Sequence, residues 1–240
     1  MKIKVYNIVV AAGKGNRFGS EIPKQFCLLK GKPVLVHTIE RIKSIFSELD
    51  TSSVKTSYDA DTILVLSKDH IELWNKLSTQ FQVPPHIVVT GGSSRWESVK
   101  NAIEYVKTNY KIDDSQIITI HDGARPIIDV RLFMNVLEGV READGCIPTV
   151  PVVDSLRQID ASTGKSAPSD RDFIRAVQTP QAFHAARLIE AYRLPYKPTF
   201  TDDASVMAEA GFDNIRLSEG NPHNIKITLP TDLEIASIYL

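Results

Sequence analysis

Residues 9–26, VVAAGKGNRFGSEIPKQF, join an apolar run to a glycine-rich loop carrying Lys14, Arg17 and Lys24. Glycines let backbone N–H groups come close to an anion, small Ala11 and Ala12 leave room for a flat base, and cations offset a polyphosphate charge. In this order the residues read as a phosphate cradle. The competing reading is a strand-to-helix turn with solvated cations, and a GxG by itself does not separate the two. Two better-known glycine loops fail. No GxxxxGK[ST] occurs, so Walker-type hydrolysis is disfavoured. Phe18 stands at the third glycine of a dinucleotide fingerprint and no acid closes a second strand, which disfavours a nicotinamide oxidoreductase.

Two further clusters could share that chemistry. In GGSSRWES, residues 91–98, a turn opens a helix, and its backbone and hydroxyls could meet a sugar or base; Ser94 as a plain N-cap is the alternative. In HDGARP, residues 121–126, Asp122 leaves the apolar strand IITI at its carboxyl end, where open α/β sheets gather ligands. Asp122 could hold Mg²⁺ on substrate phosphates, with Arg125 as an anion clamp, or the two could form only a structural ion pair. His121, Cys27 and Cys146 read as structural residues.

The elements that must position these groups alternate between β-rich runs and helix-period stretches, the α/β signature. Strands are expected at Ile3–Val10, Thr62–Leu66, His86–Thr90, Gln116–His121 and Gly145–Val150, apolar enough to be central and parallel. Leu35, Ile39, Ile42 and Ile45 share one helical face behind Pro33, and Ile71, Trp74, Leu77 and Phe81 share another. Ser94 with Glu97, and Thr231 with Glu234, spell capping boxes. Residues 50–61 are polar and read as an exposed loop. Residues 153–176 read as a hairpin projecting from the domain, and its exposed edges suggest self-association.

Composition bounds the rest. With 28 basic and 29 acidic side chains in 240 residues, net charge −1, the chain lacks the basic footprint of a nucleic-acid binder. Two distant cysteines form neither a disulfide framework nor a zinc spacing, and no segment reaches the roughly 18 apolar residues of a membrane span. A cytoplasmic protein with no nucleic-acid or membrane partner is expected.

The ordered pieces AAGKGNRFGSEIPKQF, GGSSRWESV, HDGARP, VVDSLR, DRDFIRAVQTPQAF, TDDASVMAEAG and NIKITLPTDL resemble the 2-C-methyl-D-erythritol 4-phosphate cytidylyltransferase family nearly end to end. Ribitol-5-phosphate cytidylyltransferases share the first loop, PKQF, TPQ and NIKIT, and remain the alternative; TDDASV and HDGARP favour the methylerythritol branch. The resemblance implies one nucleotidyltransferase domain over residues 1–240, Rossmann-like, with a mostly parallel sheet and helices on both faces. It also implies that the 153–176 arm clasps a second subunit in a homodimer. The implied reaction joins CTP to a polyol phosphate, with Mg²⁺, and releases pyrophosphate. Ala11, Ala12, Gly13, Gly92, Ser93 and Ser98 would form the cytidine pocket, and Gly15, Arg17 and Lys24 the triphosphate contacts. Arg17, Lys24 and Lys226 would stabilise the transition state. Asp122, Arg125, Ser155, Arg171, Thr179 and Thr201 would serve the polyol and metal, Arg171 from a neighbour's arm. Ser155 replaces the family's usual Thr, Gly123 a common Ala, and the 50–61 stretch is longer than usual.

Such a reaction needs no general base, because a phosphate monoester with a second pKa near ~6 is already mostly a dianion at neutral pH. The barrier is bringing that dianion onto the α-phosphorus of a polyanionic nucleotide, so cations aimed at the developing charge should dominate.

Overall fold

The computed structural model describes residues 2–13, 18, 22–51 and 56–240. Strand β1 (Lys2–Val10) precedes a small hairpin of β2 (Leu28–Leu29) and β3 (Lys32–Pro33). Then follow α1 (Val34–Thr51), β4 (Ser57–Leu66), α2 (Ile71–Gln80), β5 (Ile87–Thr90), α3 (Arg95–Asn109) and β6 (Ile117–Asp122). The second half runs α4 (Val130–Gly139), β7 (Gly145–Pro151), β8 (Leu156–Ile159), β9 (Ser166–Ser169), β10 (Arg175–Val177) and β11 (Gln181–His184). It ends with α5 (Ala185–Ala191), α6 (Asp203–Glu209), β12 (Ile215–Glu219) and α7 (Thr231–Tyr239).

Eight strands form one sheet in the order β10-β7-β11-β6-β1-β4-β5, with β12 beside β7. Strand β1 pairs parallel with β4 and β6, and β4 with β5. Alternate residues supply the two faces: Val5 and Val9 face α1 and α4, while Tyr6 and Ile8 face α3. Leu35, Ile39, Ile42 and Ile45 of α1 pack on the first face with Phe133 and Val136 of α4, and Val99, Ile103 and Val106 of α3 on the second. These are buried apolar stripes of the kind that cover a parallel sheet.

The five expected strands are present, but they are not five parallel neighbours. Strand β11 lies between β6 and β7 and runs antiparallel to both. It is short and carries a buried Gln181, whose amide is satisfied by Asp202 and the Ala204 N–H, so it lacks the apolar run that marks the others. The 50–61 reading is corrected at both ends, since α1 reaches Thr51 and β4 begins at Ser57, while residues 52–55 lie outside the described residues. The polar residues of β4 belong in a strand because Lys4 of the neighbouring β1 bridges Asp59 and Asp61, at 3.0 and 2.9 Å. The Thr231–Glu234 capping box is absent. Pro230 is the N-cap, and Asp232 Oδ2 instead accepts the Thr228 and Leu229 N–H groups at 2.7 and 2.8 Å. At α3 the Ser94 side chain caps Glu97 N as expected, while the Glu97 carboxylate turns to Ser93.

Strands β8 and β9 pair antiparallel as the expected hairpin, and β10 returns the chain to the sheet beside β7. The arm is wet and apolar by turns: Val153, Ile159 and Phe173 are exposed, Phe173 at 88%.

The chain leaves β1 toward β4 on one side, whereas β6 lies on the other. The carboxyl ends of β1 and β6 therefore border a topological switch point, where such sheets place ligands.

Candidate active site

Beyond β1 the chain continues as Ala11, Ala12 and Gly13, held from beneath. Ala11 N–H donates to the Val65 carbonyl at 2.9 Å, and buried Gln25 donates from Nε2 to the carbonyls of Ala11 and Gly13, at 2.8 and 3.1 Å. The facing wall is the turn before α3. There Ser98 Oγ donates to the Ser94 carbonyl at 2.8 Å and accepts the Gly92 N–H at 3.1 Å. Gly91 lets the walls meet: a Cβ on it would lie 2.5 Å from Ala12 Cβ and 2.9 Å from Ser98 Oγ. At Gly123 a Cβ would stand 3.0 Å from both Ala11 Cβ and Leu35 Cδ1, so an alanine there would need those neighbours to give by a few tenths of an ångström.

These walls enclose a cleft of about 610 Å³. Ala11, Ala12, Gly13, Gly92, Ser93 and Ser98 line it together with Lys24, Asp122 and Lys226. Asp122 ends β6 in register with Val10. Its Oδ2 is 2.8 Å from Lys226 Nζ and 3.5 Å from Arg125 Nε, and its Oδ1 is 3.6 Å from Arg95 Nε. Burial favours the neutral acid, yet Arg95, then Lys226 and Arg125, hold the carboxyl well below the usual carboxylate range. Lys24 Nζ donates to the Ile227 carbonyl at 2.6 Å, so the cation after the glycine loop and Lys226 meet on one wall.

The sequence-derived residues divide. Arg17 and Gly15, with Lys14, lie outside the described residues. Arg125 is largely buried and its Nη1 donates to the Asn224 carbonyl at 2.7 Å, bracing Asp122 from behind. Thr179 is buried below the cleft: its Oγ1 accepts the Asp122 N–H at 3.0 Å and sits 3.0 Å from His121 Nδ1. His121 Nε2 faces the Arg125 carbonyl at 3.0 Å, an acceptor, so Nε2 carries the proton and Nδ1 accepts from Thr179. Burial pushes its pKa down to about 4. Thr201 is exposed just before α6. Ser155 and Arg171 are exposed on the arm, where Arg171 Nη1 donates to the Val153 carbonyl. Within one chain neither belongs to the lining of the cleft.

Three contributors escaped the sequence reading. Gln25 and Gly91 sit inside motifs quoted for their neighbours. Arg95, inside GGSSRWES, lines the cleft and makes a two-pronged pair with buried Asp203: Nη1 to Oδ1 at 3.0 Å and Nη2 to Oδ2 at 2.7 Å. Burial opposes its charge, but Asp203 and then Asp122 outweigh it and raise its pKa. The adjacency of two acids in TDDASV was the available signal; the partner of the second, 108 positions away, was not.

A family model for 2-C-methyl-D-erythritol 4-phosphate cytidylyltransferase matches residues 5–240. The chain belongs to that family. It is 38% identical over 237 residues to a Bacteroides thetaiotaomicron protein of this name, covering 97% of this chain and 98% of that one. Against a Porphyromonas gingivalis protein of the same name the identity is 37%, covering 100% and 99%. Among solved structures, a 4-diphosphocytidyl-2C-methyl-D-erythritol synthase superposes with a TM-score of 0.76 at 27% identity, covering 100% and 99%. The Francisella tularensis 2-C-methyl-D-erythritol 4-phosphate cytidylyltransferase gives 0.73 at 26%, covering all of both chains. This family member is thus a nucleotidyltransferase, moving a cytidylyl group from CTP to 2-C-methyl-D-erythritol 4-phosphate in isoprenoid biosynthesis. The ribitol alternative is not favoured.

Proposed function

We propose that the cleft divides into a nucleotide end and a transfer end. The cytidine lies against Ala11, Ala12, Gly13, Gly92, Ser93 and Ser98, and the triphosphate runs toward Gly15, Arg17 and Lys24. The sugar phosphate enters beside Asp122 and Lys226. The observation that carries this reading is the meeting of Lys24 and Lys226 on one wall, Lys24 bonded to the Ile227 carbonyl and Lys226 to Asp122, at the mouth of the β1–β6 switch point.

In the step itself an oxygen of the sugar phosphate dianion forms a bond to the α-phosphorus of CTP. The bond from that phosphorus to the bridging oxygen breaks, and its electron pair leaves with pyrophosphate. Lys24, Lys226 and Arg17 stabilise charge that spreads over non-bridging and leaving oxygens. No side chain has to remove a proton, which agrees with a His121 that is buried, neutral and fully hydrogen-bonded. Among the described residues Asp122 is the acidic side chain in the lining of the cleft. It would hold a magnesium ion shared with phosphates by exchanging one of its contacts to Arg95, Lys226 or Arg125, since Mg²⁺ takes one or two carboxylates and leaves its other positions to phosphate and water. Among the described residues no cluster of three or more metal-ligating side chains suggests an all-protein cage. Mg²⁺ held there would neutralise phosphate charge and draw electrons from the α-phosphorus.

The arm supports a homodimer. Val153, Ile159 and Phe173 leave apolar surface in water, and Arg171 and Ser155 are exposed and do not line the cleft of their own chain. No described helix is long and apolar enough to cross a membrane, and both cysteines are free, in keeping with a cytoplasmic setting. Pyrophosphate release measured with CTP or ATP, and with methylerythritol phosphate or ribitol 5-phosphate, tests the assignment. CTP with methylerythritol phosphate should give the highest kcat/KM, and equal rates with ATP would overturn the cytidine pocket.

A further inference from the structure

Asp203 is a fully buried carboxylate that does not line the cleft, yet it is joined to it through one side chain. Its backbone is fixed as the first residue of α6: N-cap Asp202 accepts the Ser205 N–H, and Ser205 Oγ accepts the Asp202 N–H. The same N-cap receives Gln181 Nε2 at 2.9 Å, tying the helix start to β11. From this anchored position Asp203 Oδ1 accepts Arg95 Nη1 and the Tyr192 hydroxyl, at 3.0 and 2.6 Å, and Oδ2 accepts Arg95 Nη2 at 2.7 Å. Burial and then the Asp203 charge raise the Tyr192 pKa, keeping that hydroxyl a donor.

A planar guanidinium gripped at both Nη atoms has little freedom to turn. Its Nε thereby faces Asp122 as an ion pair whose contact is to Oδ1, at 3.6 Å, while Arg125 Nε lies 3.5 Å from Oδ2. Asp122 Oδ2 remains for Lys226 at 2.8 Å. Without the Asp203 charge, Arg95 would have Asp122 as its nearest carboxylate. The geometry that satisfies a guanidinium best is a fork over both oxygens, and a fork on Asp122 would displace Lys226.

We infer that Asp203 is a positioning residue for the transfer step, acting through Arg95 to keep one oxygen of Asp122 for Lys226. The inference rests on the proposed place of Lys226 and Asp122 at the transfer end. It links two stretches, GGSSR and TDDAS, whose acid and base meet in the interior rather than at the substrate.

Asp203→Asn preserves shape and removes the charge. It should lower kcat at least tenfold while KM for CTP stays within threefold, since Asp203 itself does not line the cleft. Added to Arg95→Gln, it should cost less than a further twofold, because its effect passes through Arg95. Tyr192→Phe leaves the two-pronged pair intact and should hold kcat within twofold even where it lowers Tm. A kcat for Asp203→Asn within twofold of wild type overturns the role, as does an effect that multiplies fully with Arg95→Gln. So does a loss in Tyr192→Phe as large as in Asp203→Asn, which would mark general loosening. If Asp203→Asn does not fold, Arg95→Lys carries the test, since it keeps the charge but has no fork; it too should lose at least tenfold in kcat, and full activity overturns the role. Lys226→Ala is measured in parallel. If it retains kcat within threefold, the transfer-end reading falls and the positioning role with it; if it is impaired while Asp203→Asn is not, only the positioning role falls.

Discussion

Lys226 and Asp122 form an ion pair across the end of the sheet, Nζ to Oδ2 at 2.8 Å, with Arg125 behind and Arg95 on the other oxygen. Three cations converge on a carboxylate that is only 10% exposed. Asp122→Asn would leave those cations with less compensation. Removing one partner from a buried network costs 3–5 kcal/mol, and the low end, about 3 kcal/mol, applies because Lys226 is partly wetted. For a chain of this length that corresponds to a fall in Tm of roughly 6–12 °C. Calorimetry checks this, and an unchanged Tm would show that the pairs are too hydrated to matter.

On the proposed reading Lys24, which meets Lys226 on the same wall, takes the charge of the phosphates. Lys24→Ala should lower kcat at least ~100-fold, since a donor lost from a transition state typically costs ~2.7–4 kcal/mol. KM for CTP should rise much less. Steady-state kinetics decide it: a kcat within threefold of the parent would put Lys24 outside the reaction.

Gly91 is the contact on which the nucleotide end closes. In Gly91→Ala the new methyl would fall 2.5 Å from Ala12 Cβ, so the loop after β1 must move away from α3. Overpacking of this kind typically costs 1–3 kcal/mol. KM for CTP should rise roughly five- to tenfold with a smaller change in kcat. An unaltered KM would mean that the loop is not a wall of the cytidine pocket.

What the sequence made legible follows from burial. Strands covered on both faces must be continuous apolar runs, so Ile3–Val10 and Gln116–His121 stood out. Gln181–His184 did not, because its buried polar residue finds partners through tertiary contacts, and Ser57–Asp61 did not, because Lys4 supplies charge from the next strand. The same distinction holds in the cleft. Backbone-lined features such as the Ala11–Gly13 loop and the Gly92 turn are written in local sequence. The orientation of Asp122 is only partly so. Its pair with Arg125, three residues on, is one of the two readings of HDGARP, whereas Arg95 from α3, Lys226 from the stretch before α7 and Asp203 from α6 arrive from far along the chain.

His121 gives the protein a pH dependence of defined sign. Its folded pKa is about 4 against an ordinary 6.5, so the unfolded chain binds the proton more readily. Its contribution is therefore constant above about pH 6.5 and stability falls as the pH drops toward 4. At pH 5 the loss from this one group is about 2 kcal/mol, taking 1.36 kcal/mol per pKa unit. Urea unfolding of wild type and His121→Asn at pH 7.5 and 5 separates it from other titrations. Wild type should lose about 2 kcal/mol more than the variant over that interval, and parallel losses would contradict the assignment.

The arm yields a prediction that single-chain geometry cannot satisfy. Arg171 is exposed and bonded to the Val153 carbonyl within the arm, whereas Lys24 lines the cleft of the same chain. If the arm reaches across a two-fold axis, each site combines Lys24 of one subunit with Arg171 of the other. Arg171→Ala and Lys24→Ala should then each be nearly inactive alone. In a dimer pairing one of each, one site carries both lesions and the other carries neither. Random reassociation of equal amounts makes half the dimers mixed, each with one intact site, so activity should recover to about a quarter of wild type. Co-refolding followed by pyrophosphate release measures it, with mass spectrometry of differently tagged chains confirming exchange. Complete mixing without recovery would place Arg171 in its own chain's site or outside the reaction.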